Sequence, residues 1–231
     1  MSAKPVFTLG MIVRVVFFVV VIPLLPVLVS GQWGWWQARA YALVYIGGFV
    51  ASRVAIARKN PDLIAERARF TDQQGAKAWD QVLAPLLALG GNVVPLVAGF
   101  EKRWWPTQPY GPSGSWAGLI LLLAGYAFST WAVYENRFFS GVVRIQKERG
   151  QHVVDSGPYR WVRHPGYAGG LLAFLGTPLL LDSRYAWLPL VLFVGATVLR
   201  TALEDRTLQE ELPGYREYAQ RVRYRLVPGV W

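Results

Sequence analysis

The sequence predicts an all-α integral membrane protein: a bundle of five to six transmembrane helices with a cytoplasmic loop, a C-terminal helical hairpin and an amphipathic C-terminal helix. Three observations carry this. Of 231 residues, 53% are hydrophobic and only 16% charged, where a soluble domain averages about 25% charged. Several apolar runs reach the roughly 20 residues that a helix needs to cross the bilayer core. The net charge of +10 is not a uniform basic surface: alternate connecting segments hold seventeen Lys and Arg on one side and four on the other. That distribution argues for membrane topology and against nucleic acid as a partner. It places both termini in the cytoplasm, as expected of a protein of a bacterial-type inner membrane.

The first span is read at 6–30. Lys4 precedes it in the manner of a secretory signal, but the apolar stretch is too long for a signal core, so a retained helix is expected. The second span covers about 38–57. The segment 58–80 comes next, where Asn60, Pro61, Asp62 and Glu66 predict a short interfacial helix capped at Asn60. The third span, 81–100, contains Pro85 and Pro95. Its outer connection, 101–115, is rich in Pro and Gly and reads as a loop. The fourth span is 116–136. The fifth and sixth, 166–181 and 186–203, are separated only by Asp182, Ser183 and Arg184 before Tyr185, which makes a hairpin. Beyond it, 204–226 is a charged helix interrupted at Pro213 and Gly214. Trp33, Trp35, Trp36, Trp104, Trp105, Trp116 and Trp187 flank the span ends, the level that indoles prefer. Arg14, Arg53 and Arg200 fall within spans or at their ends; the first two are expected to snorkel or to pair inside the bundle. The basic C-terminal helix also suits a surface of anionic lipid.

Cysteine is absent and the histidines are His152 and His164. Disulfides, a thiolate nucleophile and a His- or Cys-rich metal centre are therefore excluded. No Gly-x-Gly-x-x-Gly follows a strand pattern, so no soluble dinucleotide fold is expected. The densest polar information lies at 137–170, RFFSGVVRIQKERGQHVVDSGPYRWVRHPGYAGG, a loop of Gly, Arg and aromatics leading into the fifth span.

The positions Gly157, Pro158, Tyr159, Arg163, His164, Pro165, Tyr167 and Gly169 resemble the signature of the isoprenylcysteine carboxyl methyltransferase family and its phospholipid methyltransferase relatives. A second block, RTALEDRTLQEELPGYREYAQRVRYRLVPGVW, resembles the family's acidic pair and Tyr-containing tail, with Glu204 and Asp205 where the family usually has two glutamates. The resemblance covers about 137–228 and divides the chain into scaffold helices at 1–136 and a cofactor-binding part at 137–231, within one membrane domain. It implies S-adenosylmethionine as cofactor and a lipophilic acceptor, either an isoprenylcysteine-type carboxylate or a lipid amine, arriving from the bilayer.

The residues agree with that chemistry. Arg163 and His164 suit the cofactor carboxylate, with Arg offering a planar fork. Glu204 and Asp205 suit its ammonium or ribose, and Tyr159, Tyr167, Tyr215 and Tyr218 offer ring faces. His152, Gly157, Pro158 and Gly169 complete the expected cofactor set. Arg200 lies one turn before Glu204 and is expected to hold an acceptor carboxylate or to tune Glu204, with Asn136 closing the site from the fourth span. Two other readings of the same residues are an NADPH-dependent sterol or steroid reductase and a non-catalytic membrane scaffold.

Overall fold

The computed structural model describes residues 13, 16–63 and 75–231. Lys4, Arg14, the start of the first span and most of the interfacial segment, including Glu66, Arg67 and Arg69, lie outside the described residues. The described chain is helical, with no strand.

Helix α1, Phe17–Ser30, opens with a π-helical turn at Phe17–Val21 and contains Pro23 and Pro26. Each proline removes a backbone donor, and π turns relax the ladder around such gaps. Helix α2 runs Trp36–Lys59. Helix α3, Asp80–Trp104, is broken at its middle between Gly90 and Val93. Pro95 cannot donate to Gly91, and the Asn92 side chain donates to Ala88 O at 2.9 Å instead. Helix α4 is Gly111–Glu135, α5 is Pro165–Leu180, α6 is Trp187–Glu211 and α7 is Tyr215–Arg221.

Four of these, α2, α3, α4 and α6, are long and apolar enough to cross a membrane. The described part of α1 is shorter, and α5 has 16 residues, about 24 Å of helix against a core of about 30 Å. The structure therefore counts four full-length candidates among the described residues where five to six were expected. The protein is an integral membrane protein.

The tightest packing joins α4 to α5. Gly118 faces Gly176 and Gly125 faces Gly169, each pair separated by seven residues along its helix. A Cβ on Gly125 would stand 2.3 Å from Ala173 N, and one on Gly169 would stand 2.5 Å from Ser129 N. Small residues at this spacing let two helices touch backbone to backbone, which lipid-embedded pairs use in place of hydrophobic burial. Around that seam the main core gathers Val27, Tyr41, Val94, Leu122, Leu180 and Leu190.

Two boundaries differ from the sequence reading. The outer loop is shorter than 101–115, because α3 continues to Trp104 and α4 begins at Gly111. The charged helix is not separate: α6 runs unbroken from the sixth span to Glu211, and the break comes at Leu212–Gly214, where Gly214 has φ +80°. After α7 the chain leaves helix and hooks back, so that Arg163 N donates to Tyr224 O and His164 N to Arg225 O, both at 2.9 Å. Tyr215 and Tyr218 of α7 are buried in a second core with Tyr159 and Leu212. The C-terminal segment thus packs onto the 137–164 loop; it is not an isolated amphipathic surface helix.

Candidate active site

At the loop end of the bundle, α4 stops at Glu135 and Asn136 begins the connection to α5. Asn136 Oδ1 accepts from Phe138 N at 2.9 Å and its Nδ2 donates to the Tyr159 hydroxyl at 3.2 Å. The loop then folds around buried Gln146, which donates to Phe138 O at 2.6 Å and accepts from Arg149. The Gly-Pro-Tyr element, residues 157–160, forms a 3₁₀ turn. Gly157 has φ +55° and sits against Glu135 and Trp131, so a side chain there would be both strained and crowded. Ser156 donates to Glu135 at 2.5 Å, pinning the turn to the end of α4.

Two charge networks hold the corner between this turn, α5 and α6. In the first, the fully buried carboxylate of Asp205 accepts from Arg163 Nε at 2.7 Å, Arg163 Nη2 at 2.9 Å and Arg225 Nε at 2.9 Å. Gln209 donates to it at 2.8 Å and the Tyr215 hydroxyl at 3.2 Å, and His164 Nε2 lies 3.1 Å away. Arg163 Nη1 donates to Val222 O and Arg223 O, both at 2.7 Å. Burial would pull the Arg163 guanidinium down, but its bonds to Asp205 outweigh that and hold its pKa above the ordinary value.

In the second network, Arg200 forks the buried Asp80 at the start of α3, Nε to Oδ1 at 2.7 Å and Nη2 to Oδ2 at 3.0 Å. Asp80 also accepts from Val143 N at 2.6 Å, and Arg200 Nη2 donates to Gly141 O at 3.0 Å. Arg200 Nη1 donates to the Tyr167 hydroxyl at 2.6 Å, which in turn donates to Glu204 Oε2 at 2.7 Å. Among the described residues no cation pairs with Glu204, and Tyr167 is the donor that reaches it.

Between the networks lies a cleft open at its mouth. Asn136, His152, Tyr159, Arg163, His164, Tyr167, Arg200, Glu204, Tyr215 and Tyr218 all line it, together with apolar Val154, Leu208 and Leu212. The structure therefore brings together ten of the residues singled out from sequence. Burial pushes the hydroxyls of Tyr159, Tyr215 and Tyr218 above the ordinary tyrosine range, so all three face the cleft as neutral groups.

Four residues of the expected cofactor set do not line it. Asp205 has its lone pairs taken by protein donors and is buried beneath Arg163 and His164. Gly169 faces α4 in the helix seam. Gly157 and Pro158 shape the turn behind Tyr159. Arg163 and Arg200 reach the cleft wall, but each guanidinium fork is occupied by a carboxylate of the protein, Asp205 and Asp80 respectively. For the same reason Arg200 touches Glu204 only through Tyr167.

Asp80 escaped the sequence reading. Its signal was present: an acid opening an apolar run and an arginine inside another are each costly in a membrane unless they meet. Phe139 also lines the cleft and packs against Ile56 and Val133, a contact that no local pattern announces.

The comparisons accord with this geometry. The family profile described as Phospholipid methyltransferase matches residues 114–213, beginning inside α4 and so earlier than the motif at 137. A probable protein-S-isoprenylcysteine O-methyltransferase of Oryza sativa subsp. indica is 30% identical over 111 residues, 47% of this chain and 58% of the relative. The protein-S-isoprenylcysteine O-methyltransferase of Rattus norvegicus is 29% identical over 130 residues, 53% of this chain and 44% of the relative. This chain thus spans about half the length of these enzymes. Protein YpbQ of Bacillus subtilis, itself uncharacterised, is 32% identical over 163 residues, 69% of this chain and 90% of its own length. The chain belongs to the isoprenylcysteine carboxyl methyltransferase and phospholipid methyltransferase family of membrane proteins.

Proposed function

We propose that this chain is a membrane methyltransferase that uses S-adenosylmethionine and methylates a lipophilic acceptor, an isoprenylcysteine-type carboxylate or a lipid amine, at the cytoplasmic face. The observation that carries the reading is Glu204. It is an acceptor on the cleft wall, held in place by Tyr167 and paired with no cation of the protein among the described residues. A carboxylate left unpaired beside two arginines that are already paired is a ready partner for a ligand cation, such as an amino-acid ammonium.

The remaining lining fits the other parts of the cofactor. Tyr159, Tyr215 and Tyr218 offer neutral rings and hydroxyls, Leu208, Leu212 and Val154 offer apolar surface for a flat base, and His152 and His164 stand at the wall for its carboxylate. When bound, the cofactor supplies a methyl group on a sulfonium. The protein's task is then positioning and exclusion of water, which is how most of such a barrier is lowered when the acceptor needs no proton removed. The second network fixes Glu204 through Tyr167, and the first ties the Arg-His-Pro corner to α6 and to the C-terminal hook. Asn136 and Phe139 close the side next to α4.

The basic loop end is placed in the cytoplasm by the positive-inside rule, with both termini there and the protein in an inner membrane of bacterial type. Isothermal titration of the detergent-purified chain with S-adenosylmethionine and with NADPH tests the reading. Saturable binding of the first and none of the second is expected. Binding of NADPH alone would favour a reductase, and binding of neither would favour a scaffold.

A further inference from the structure

Beside the cleft lies a second depression, set between α2, α4 and α5, of which α2 and α4 are long and apolar enough to cross a membrane. Gly170, where a Cβ meets nothing within 4 Å, leaves room for it, and Tyr45, Phe49, Arg53 and Tyr126 wall it. Phe139, which lines the cleft, packs against Ile56 and Val133, which line this groove, so the two spaces adjoin at these three side chains.

Arg53 is the charged residue of the groove. It lies six residues before the basic end of α2, about 9 Å inside along the helix axis. A snorkelling arginine would extend toward that end. Arg53 extends the other way, with its Cζ 4.7 Å from the centroid of the Phe49 ring, one turn deeper. No carboxylate forms an ion pair with it among the described residues, and no hydrogen bond within the described protein engages its guanidinium. Arg200, by contrast, is satisfied by Asp80. An arginine is charged at any physiological pH, and at membrane depth an unmet charge marks a ligand path.

We propose that Arg53 is the specificity-determining residue of an acceptor site in this groove, and that it binds the planar oxyanion head of an amphiphile whose tail lies in the bilayer. The fork matches a two-oxygen anion, whereas it repels a protonated amine and offers nothing to a free one. The inference rests on the methyl-transfer reading for the ligand's role as acceptor; its binding chemistry does not.

The test uses three photoreactive lipids of one chain length, with a carboxylate, a methyl ester and an amine head, cross-linked to the full chain in nanodiscs and mapped by mass spectrometry. The carboxylate should label groove residues at least tenfold more than the ester or the amine. Arg53→Gln should remove that preference, and Arg53→Lys should keep part of it. Gly170→Leu, where a new Cβ meets nothing within 4 Å, should fill the groove and block labelling with Arg53 intact. Equal labelling by all three heads, or a preference that survives Arg53→Gln, overturns the proposal. Displacement of the carboxylate probe by equimolar phosphatidylglycerol also overturns it, by assigning Arg53 to lipid phosphate. S-adenosylmethionine titration of the same nanodiscs separates the two levels: head-group selectivity without cofactor binding defeats the methyltransferase reading alone, and cofactor binding without selectivity defeats the Arg53 proposal alone.

Discussion

The two ends of the bundle both bury carboxylates, and they satisfy them in opposite ways. At the hairpin end, Glu101 accepts from the Ser183 and Thr107 hydroxyls and from the backbone N–H groups of Arg184 and Tyr185, at 3.2 and 3.0 Å. Asp182 beside it accepts from Tyr110 N and Gly111 N at the start of α4, at 2.9 and 3.3 Å, where the helix dipole favours a negative charge. At the loop end, Asp205 and Asp80 are met by Arg163, Arg225 and Arg200, next to a cleft and next to Glu204, which no protein cation meets among the described residues. Acids bound to backbone N–H groups and hydroxyls hold a turn together. Acids bound to arginines hold those arginines still beside an open space, which is what a ligand site needs.

That contrast can be broken by mutation. The largest effect is expected from Asp205→Ala, which strands buried Arg163 and leaves Arg225 unpaired; loss of one partner of a buried pair costs about 3–5 kcal/mol. Thermal unfolding in detergent should show a drop large enough to compromise folding, and a midpoint within a degree or two of wild type would remove Asp205 from its central place. Glu101→Gln should destabilise by about 1–3 kcal/mol, the cost of leaving buried donors poorly met, and should leave cofactor affinity untouched. A loss of affinity without a loss of stability would erase the distinction between the ends. Tyr167→Phe removes the hydroxyl that links Arg200 to Glu204, worth about 0.5–1.5 kcal/mol, so cofactor affinity should fall a few-fold while the fold stays intact.

The smallest effect is with pH. Tyr159, Tyr215 and Tyr218 are held neutral by burial, above the ordinary pKa of about 10. Their contribution to stability is complete below pH 10 and is lost as pH rises from there through their raised folded values, because the unfolded chain releases the protons first. Unfolding midpoints taken across the alkaline range should fall, and should fall less in Tyr218→Phe. Identical slopes in the two proteins would show that the hydroxyl is not shielded.

Much of this was legible in the sequence, for reasons that differ by residue. Span positions followed from apolar length and from the Lys and Arg distribution, both of which act locally. The cluster of Tyr159, Arg163, His164, Tyr167, Glu204 and Tyr215 was legible as a resemblance. Its internal wiring was not. That Arg163 bonds Asp205 across 42 residues, and Arg200 bonds Asp80 across 120, depends on how α3, α5 and α6 pack, which no spacing along the chain encodes. Glu204 and Asp205 are adjacent and read alike as letters; α6 turns one into a protein core and the other onto a cleft. The place of Gly169 in the α4–α5 seam is likewise set by packing and not by its local pattern.

In the proposed site Glu204 faces a ligand while its neighbour Asp205 faces the protein. Glu204→Gln removes the charge at nearly constant shape, so it tests that division directly by titration calorimetry with S-adenosylmethionine, alongside thermal unfolding of the same sample. A hydrogen bond to a charged group contributes about 1.5–3 kcal/mol, so affinity should weaken about tenfold or more with an unchanged unfolding midpoint. Wild-type affinity in Glu204→Gln would contradict the assignment of this carboxylate to the cofactor.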